Sequence, residues 1–337
     1  MAHALPRRSR RAVLGALGAP VALGAAGMLF AAPRVRAAES AAPEVLRIGF
    51  QKSAVNLVIV KQQGALERRL PNTKVSWVEF PAGPQLLEAL SVGSLEFGLT
   101  GDSPPVFAQA AGKDLFYVGA ESPKPESSAI LVKSDAPLKS LADLRGRRIA
   151  LQKGSSAHYL TVRAVAKAGL QWSDIVPVYL APAEARAAFE RDSVDAWAIW
   201  DPYYAATEID VKTRTLATGR DLASNNSFYL ASREFATRYP EAVQVLFEEL
   251  TCADQYVQTH RKEAAQLIAD FSGLGLGTVH RFIARRPVSP VGPLSPAIVA
   301  DQQRVADAFA ALGLIPKQIE VAQIVWHPAA TQIARQR

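Results

Sequence analysis

Cysteine is nearly absent: Cys252 stands alone in 337 residues. A single thiol excludes an intramolecular disulfide, and no Cys/His spacing has the form of a metal site. Cys252 falls within a helical pattern, so the expectation is that it packs in the core. Long apolar runs are equally scarce. Only Ala12 to Ala32 reaches spanning length, and there Pro20 and a high Ala/Gly content weaken a transmembrane reading. Acidic residues are missing from positions 1–37, which hold Arg7, Arg8, Arg10, Arg11, Arg34 and Arg36. Without that stretch 32 basic residues face 31 acidic ones, so the formal charge of +7 belongs mostly to the leader and is not a nucleic-acid signal.

What the leader does contain is Ser9-Arg10-Arg11-Ala12-Val13-Leu14, the apolar stretch, and then Val35-Arg36-Ala37 as a small-x-small cleavage signal. This order predicts a twin-arginine export signal over residues 1–37 and a periplasmic destination. No cysteine lies near Ala37 to carry a lipid. The remaining chain, with 49% hydrophobic residues overall, is long enough for two sizeable cores.

Its middle repeats at a period of about 100 residues. Arg47-Ile48-Gly49-Phe50-Gln51-Lys52-Ser53 returns as Arg148-Ile149-Ala150-Leu151-Gln152-Lys153-Gly154. Phe80-Pro81-Ala82-Gly83 is echoed by Leu180-Ala181-Pro182-Ala183, and Leu99-Thr100-Gly101-Asp102-Ser103-Pro104 by Ile199-Trp200-Asp201-Pro202. Three anchors in one order at one spacing imply two similar α/β lobes.

The strand pattern begins at Val45 to Phe50, followed by a helix over about Asn56 to Leu66. Trp77 to Phe80 reads as a strand, Gln85 to Leu90 as a helix and Leu95 to Thr100 as a third strand. Glu121 to Glu126 carries two prolines and suits a crossing between lobes. Strand Ala129 to Lys133 then leads into the second copy: helix Ser140 to Leu144, strand Arg148 to Gln152, helix Ala157 to Ala168, strand Val176 to Leu180, helix Pro182 to Arg191 and strand Ala196 to Ile199. Phe228 to Ser232 reads as a return strand, with helices at Pro240 to His260, Arg261 to Phe271 and Pro296 to Leu312. Lobe 1 is expected over 44–130 plus 228–330 and lobe 2 over 131–227. Two lobes joined by two crossings make a hinged cleft.

Ligands of α/β sheets bind at the loops that follow the carboxyl ends of strands. Four loops qualify: Gln51 to Asn56, Thr100 to Pro104, Gln152 to Ser156 and Trp200 to Tyr203. Gly154-Ser155-Ser156 permits close backbone approach and offers hydroxyls at a helix start, where an anion is favoured without a neutralising lysine. Thr100-Gly101 offers the same from the opposite lobe. Asp102 and Asp201 precede proline-bearing helix starts and divide between capping and ligand contact. Trp200 is placed to wall an aliphatic tail, whereas Trp197 points into the core, and Lys52 and Lys153 are expected in solvent. A Ser155, His158 and Asp201 hydrolase can also be assembled, but no G-x-S-x-G elbow surrounds these serines.

Four segments, Trp77 to Pro84, Gly101 to Ala110, Gln152 to Ser156 and Asp195 to Tyr204, resemble the aliphatic sulfonate-binding proteins of ABC importers, within the wider nitrate/sulfonate/taurine-binding group. The similarity runs through Pro287 to Ile324-Val325-Trp326. It implies the α/β, two-lobed periplasmic binding fold of type II: a mostly parallel sheet flanked by helices in each lobe, with the ligand cleft between them. It further implies a monomer with no catalysis and no cofactor, delivering an alkanesulfonate to a permease and ATPase for sulfur uptake. Taurine, nitrate and pyrimidine precursors are the neighbouring ligand classes. Carried over by position, the resemblance makes Gln51, Thr100, Gly101, Gly154, Ser155 and Ser156 head-group contacts, with Asp102, Trp200 and Asp201 around them. Ser53-Ala54 departs from the Gly-Ser that relatives often carry after the first Gln-Lys.

Overall fold

A computed structural model describes residues 42–327. The leader and its twin-arginine motif, together with the last residues of the chain, lie outside them. Among the described residues ten strands form two sheets: β1 Val45–Phe50, β2 Lys74–Glu79, β3 Phe97–Gly101, β4 Leu115–Ala120, β5 Ser128–Lys133, β6 Arg148–Leu151, β7 Val176–Tyr179, β8 Ala196–Trp200, β9 Thr213–Thr218 and β10 Ser227–Ser232. The first sheet has the order β2-β1-β3-β10-β4 and the second β7-β6-β8-β5-β9. In each, four strands run one way and one runs against them, β10 in the first and β5 in the second. The internal repeat is thus a repeat of topology, β1 to β4 matching β6 to β9. Each reversed strand is the one that follows a crossing between the sheets.

The helices are α1 Val55–Gln63, α2 Ala65–Arg69, α3 Gly83–Ser91, α4 Ser103–Ala110, α5 Ser156–Lys167, α6 Pro182–Glu190, α7 Tyr203–Asp210, α8 Arg233–Arg238, α9 Pro240–Thr259, α10 Arg261–Ser272, α11 Leu276–Ala284 and α12 Pro296–Ala311. Sheets covered by helices on both faces bury nearly every residue of their central strands, which is why Leu46, Ile48, Phe97 and Leu99 all disappear from solvent. One core of lobe 1 lies under α1, α9, α10 and α11, and the other joins Leu86, Val106 and Phe309. Lobe 2 has a core around Ile149 and Leu160 and a second around Phe189 and Trp197.

Several sequence expectations shift. The helix expected over 56–66 is two helices, because Gly64 enters the left-handed region at φ 60° and ends the first. Ser140 to Leu144 is a single 3₁₀ turn. Strand β5 lies wholly in the second sheet, so the crossing falls before Ser128 and the 130/131 boundary would cut that strand. Cys252 is exposed. The buried stripe of α9 runs through Leu246, Leu250, Ala253 and Val257, and Cys252 is off that stripe. Lys52 does not simply face solvent: its Nζ donates to the Ser272 carbonyl at 2.9 Å. Among the described residues no helix is long and apolar enough to cross a membrane.

The lobes touch on both sides of the cleft. Phe107 of α4 and Phe309 of α12 stand against His158 of α5, at 6.1 and 5.0 Å between ring centres. On the other side Arg285, just after α11, pairs with Asp201 and with Glu208 of α7.

Candidate ligand-binding site

A cavity of about 680 Å³, its mouth included, lies where the carboxyl ends of both sheets converge. All four strand-to-helix loops reach it. They contribute Gln51, Ser53 and Val55, then Gly101 and Pro104, then Ser155 and Ser156, then Trp200 and Asp201. Leu99, Val55, Pro104, Trp200 and Phe282 give it an apolar side, and Ser127, Asn225 and Ser227 from the crossings add polar groups.

Six of the nine expected residues therefore come together: Gln51, Gly101, Ser155, Ser156, Trp200 and Asp201. The other three stand behind the wall. Thr100 is fully buried with its hydroxyl donated to the Gly101 carbonyl at 3.1 Å. Gly154 turns at φ 72° and donates its N–H to His158 Nδ1 at 3.2 Å, so its amide is directed away from a ligand. Asp102 is buried, accepts the Ser103 hydroxyl at 2.9 Å, and has its carbonyl held by Gln302 Nε2 at 2.6 Å. Burial pushes the Asp102 carboxyl up to about 6, with the Ser103 and Ser156 hydroxyls opposing the rise.

Ser155 occupies the cap position of α5 and Ser156 is its first residue. The first turn of a helix leaves backbone N–H groups without helical acceptors, at the positive end of its dipole. The expected Ser155 side-chain cap is not made; its hydroxyl donates instead to the Gln152 carbonyl at 2.7 Å. Gln51 is fixed by a bond from Nε2 to the Leu99 carbonyl at 3.2 Å. Gly101 faces Ser156 so closely that a Cβ would overlap the serine hydroxyl where it stands, so a larger residue would keep this contact between lobes only by turning the Ser156 side chain away.

The expectation of an anion site without a basic side chain is corrected by Lys124 and Arg286, which both line the cavity. Their balancing carboxylates lie behind them. Glu121 takes the Lys124 ammonium at 2.5 Å, Arg286 Nη1 at 3.2 Å and the Tyr229 hydroxyl at 2.7 Å, while Arg286 Nη2 reaches Asn56 Oδ1 at 2.9 Å and Asp254 at 3.2 Å. Burial alone would raise Glu121, but Arg286 and Lys124 beside it hold it down at about 2. Sequence reasoning missed this network because its partners are separated by up to 230 residues. Asp201 faces the cavity with Oδ1 accepting the Ala205 N–H at 3.0 Å and Arg285 Nη1 at 3.1 Å. Burial raises it to about 7 against the pull of Arg285.

A nucleophile and base are not assembled. Ser155 gives its proton to Gln152, and His158 uses Nδ1 on the Gly154 amide inside a cage of Phe107, Trp172, Tyr179 and Phe309. Burial, and secondarily the charge of Lys153, push this imidazole down to about 3. Among the described residues no group of His, Cys, Asp and Glu could hold a metal.

Two α/β lobes closed around a cleft at the carboxyl ends of their strands define the class of periplasmic binding proteins. The model of the NMT1-like family matches residues 39–272. A protein of Escherichia coli (strain K12) named as an aliphatic sulfonates-binding protein is 46% identical over 308 residues, covering 91% of this chain and 96% of its own. A Bacillus subtilis (strain 168) protein of the same name is 33% identical over 83% of this chain and 85% of its own. The alkanesulfonate-binding protein SsuA from Xanthomonas axonopodis pv. citri, solved bound to MOPS, superposes with a TM-score of 0.82 at 50% identity, over 85% of this chain and 99% of that one. The chain belongs to the NMT1-like family and, within it, to the aliphatic sulfonate-binding proteins.

Proposed function

We propose that this chain is the exported solute-binding component of an ABC importer and that it binds aliphatic sulfonates for sulfur uptake. The observation that carries this reading is one cavity wall holding the start of α5 with Ser155 and Ser156, the cations Lys124 and Arg286, and an apolar side at Val55, Leu99, Trp200 and Phe282. A sulfonate stays monoanionic at ordinary pH and accepts hydrogen bonds without donating any, so amides, hydroxyls and buried cations suit its head while the apolar side takes its tail. The head group is assigned to Gly101, Ser155 and Ser156 with Gln51 nearby. Thr100, Gly154 and Asp102 support them from behind, and Trp200 takes the tail.

The protein acts without catalysis, as a monomer, and hands its ligand to a membrane permease driven by an ATPase. Lobe 1 comprises residues 44–127 with 227–327 and lobe 2 the segment between, hinged at the two crossings. Residues 1–37 direct export to the periplasm by the twin-arginine route.

Calorimetric titration against sulfonates of increasing tail length, sulfate, nitrate and taurine tests the reading. Affinity is expected to rise with tail length by about 0.8 kcal/mol per buried methylene. Equal affinity for sulfate and a long alkanesulfonate would refute it.

A further inference from the structure

Among the described residues, every hydrogen bond and ion pair of the Glu208 side chain goes to the other lobe: it accepts from Arg285 Nη2 and lies 3.4 Å from Arg281 Nη1. Its own helix gives no reason for an acid there. Glu208 stands in the last turn of α7, at the negative end of the helix dipole, where a carboxylate is disfavoured. Asp210 shares that turn but finds Arg186 of its own lobe at 2.9 Å. Arg281 and Arg285 are four residues apart and so share a face at the end of α11, which Val279, Phe282 and Ile283 fix in the core of lobe 1. Helix α7 is tied to lobe 2. The Tyr204 hydroxyl meets Thr215 of β9 at 2.9 Å and its side chain lies in the core around Trp197. Arg285 stands 3.7 Å over the Tyr204 ring and reaches Asp201 at 3.1 Å. One acid thus gathers two arginines from across the cleft.

We propose that Glu208 is a positioning residue for ligand binding: it holds Arg281 and Arg285 only while the lobes are together, and so sets how long the ligand stays. Glu208 does not line the cavity, so it acts through closure and not by touching the ligand. This rests on the sulfonate reading above for the choice of ligand and adds to it the device that retains one. Opening at the two crossings parts α7 from α11 and returns the three charged groups to water. Ala205, on the same helix as Glu208, packs into the core of lobe 1, so the pairs form beside an apolar contact and are screened less than pairs on an open surface. A ligand enters before the lobes close. Loss of a charge pair made on closure therefore shows mainly in the dissociation rate.

The test is stopped-flow kinetics on the mature protein, with the linear alkanesulfonate of best-fitting length and the tryptophan fluorescence of Trp200 beside it as the signal. In Glu208→Gln the dissociation rate should rise by about tenfold, the low end of a close charge pair, while the association rate stays within about twofold. Salt should speed dissociation from the wild type and do so less in the variant. The melting temperature of ligand-free protein should change little, because Glu208 holds nothing in its own lobe. Glu208→Arg should dissociate faster still, and adding Arg281→Glu should recover part of the loss by restoring a pair across the cleft. An unchanged dissociation rate in Glu208→Gln overturns the proposal, as does a reversed pair that releases ligand as fast as Glu208→Arg alone. Wild-type protein that binds no sulfonate of any length overturns the sulfonate reading itself; wild-type binding with unmoved rates in the variants overturns only the role of Glu208.

Discussion

Gly101 at the end of β3 and Ser156 at the start of α5 meet across the cleft with no room for a methyl group between them. Neither residue could be judged from its own lobe, since the closeness exists only where the two lobes converge. The space at this glycine is limited by the neighbour's hydroxyl, not by its own backbone angles.

Replacing Gly101 by Ala should therefore obstruct closure more than folding. Sulfonate affinity is expected to fall by about tenfold or more, as for overpacking that costs roughly 1–3 kcal/mol, while the melting temperature of ligand-free protein changes little. Calorimetry and thermal unfolding of the same preparation separate the two effects.

The serines at α5 are not equivalent. Ser155 already gives its proton to Gln152, so Ser156→Ala should weaken sulfonate binding more than Ser155→Ala. With both replaced, affinity should drop by about two orders of magnitude, since a hydrogen bond to a charged acceptor contributes about 1.5–3 kcal/mol. Single and double variants compared by titration provide the check.

Buried Asp102 makes the fold lose stability as pH rises through a definite, acidic window. Its folded carboxyl, raised from 3.8 to about 6, binds a proton more tightly than in the unfolded chain, so its contribution to stability is lost as pH rises from about 4 through 6. Asp102→Asn removes that loss. The variant should gain on the wild type between pH 4 and pH 7.5, by about 3 kcal/mol at most, in urea unfolding at the two pH values.

Glu121 works in the opposite direction. Lowered to about 2, it stabilises the fold above its ordinary value near 4.5, and that stability fades as pH falls toward 2. Glu121→Gln leaves Lys124 short of its counter-ion and Arg286 with Asp254 alone, and should cost about 3–5 kcal/mol at neutral pH, read by denaturant unfolding.

Export by the twin-arginine route predicts that Arg10→Lys with Arg11→Lys leaves precursor in the cytoplasm. Fractionation and immunoblotting decide it, and full periplasmic accumulation of the double variant would assign the general secretion route.

The repeat made the two-sheet plan legible because Gln51, Gln152, Asp102 and Asp201 mark equivalent strand ends at nearly constant spacing. It also located the four loops. Strands β4 and β9 escaped it: each lies at a sheet edge, and half-buried Thr213–Thr218 carries no strong apolar signal. Helix α11 was missed too, with Gly275 at its cap and Gly277 in its first turn. Its loss hid Arg285 and Arg286, whose partners Asp201 and Glu121 lie far away in the chain. Local patterns report which face of a segment is apolar. They carry nothing about which distant carboxylate will neutralise an arginine, and that pairing supplied the charges of the cavity.

The reversed strands have a consequence for synthesis. The second sheet is complete once residues 128–218 exist, a contiguous stretch, whereas β3 and β4 each wait for β10 to be inserted between them. During translation the C-terminal half of the repeat can therefore assemble first, while the earlier-made half holds two open edges that invite pairing with other chains. The sheet made first is the one finished last, and its exposed edges mark the interval in which the nascent chain most needs protection.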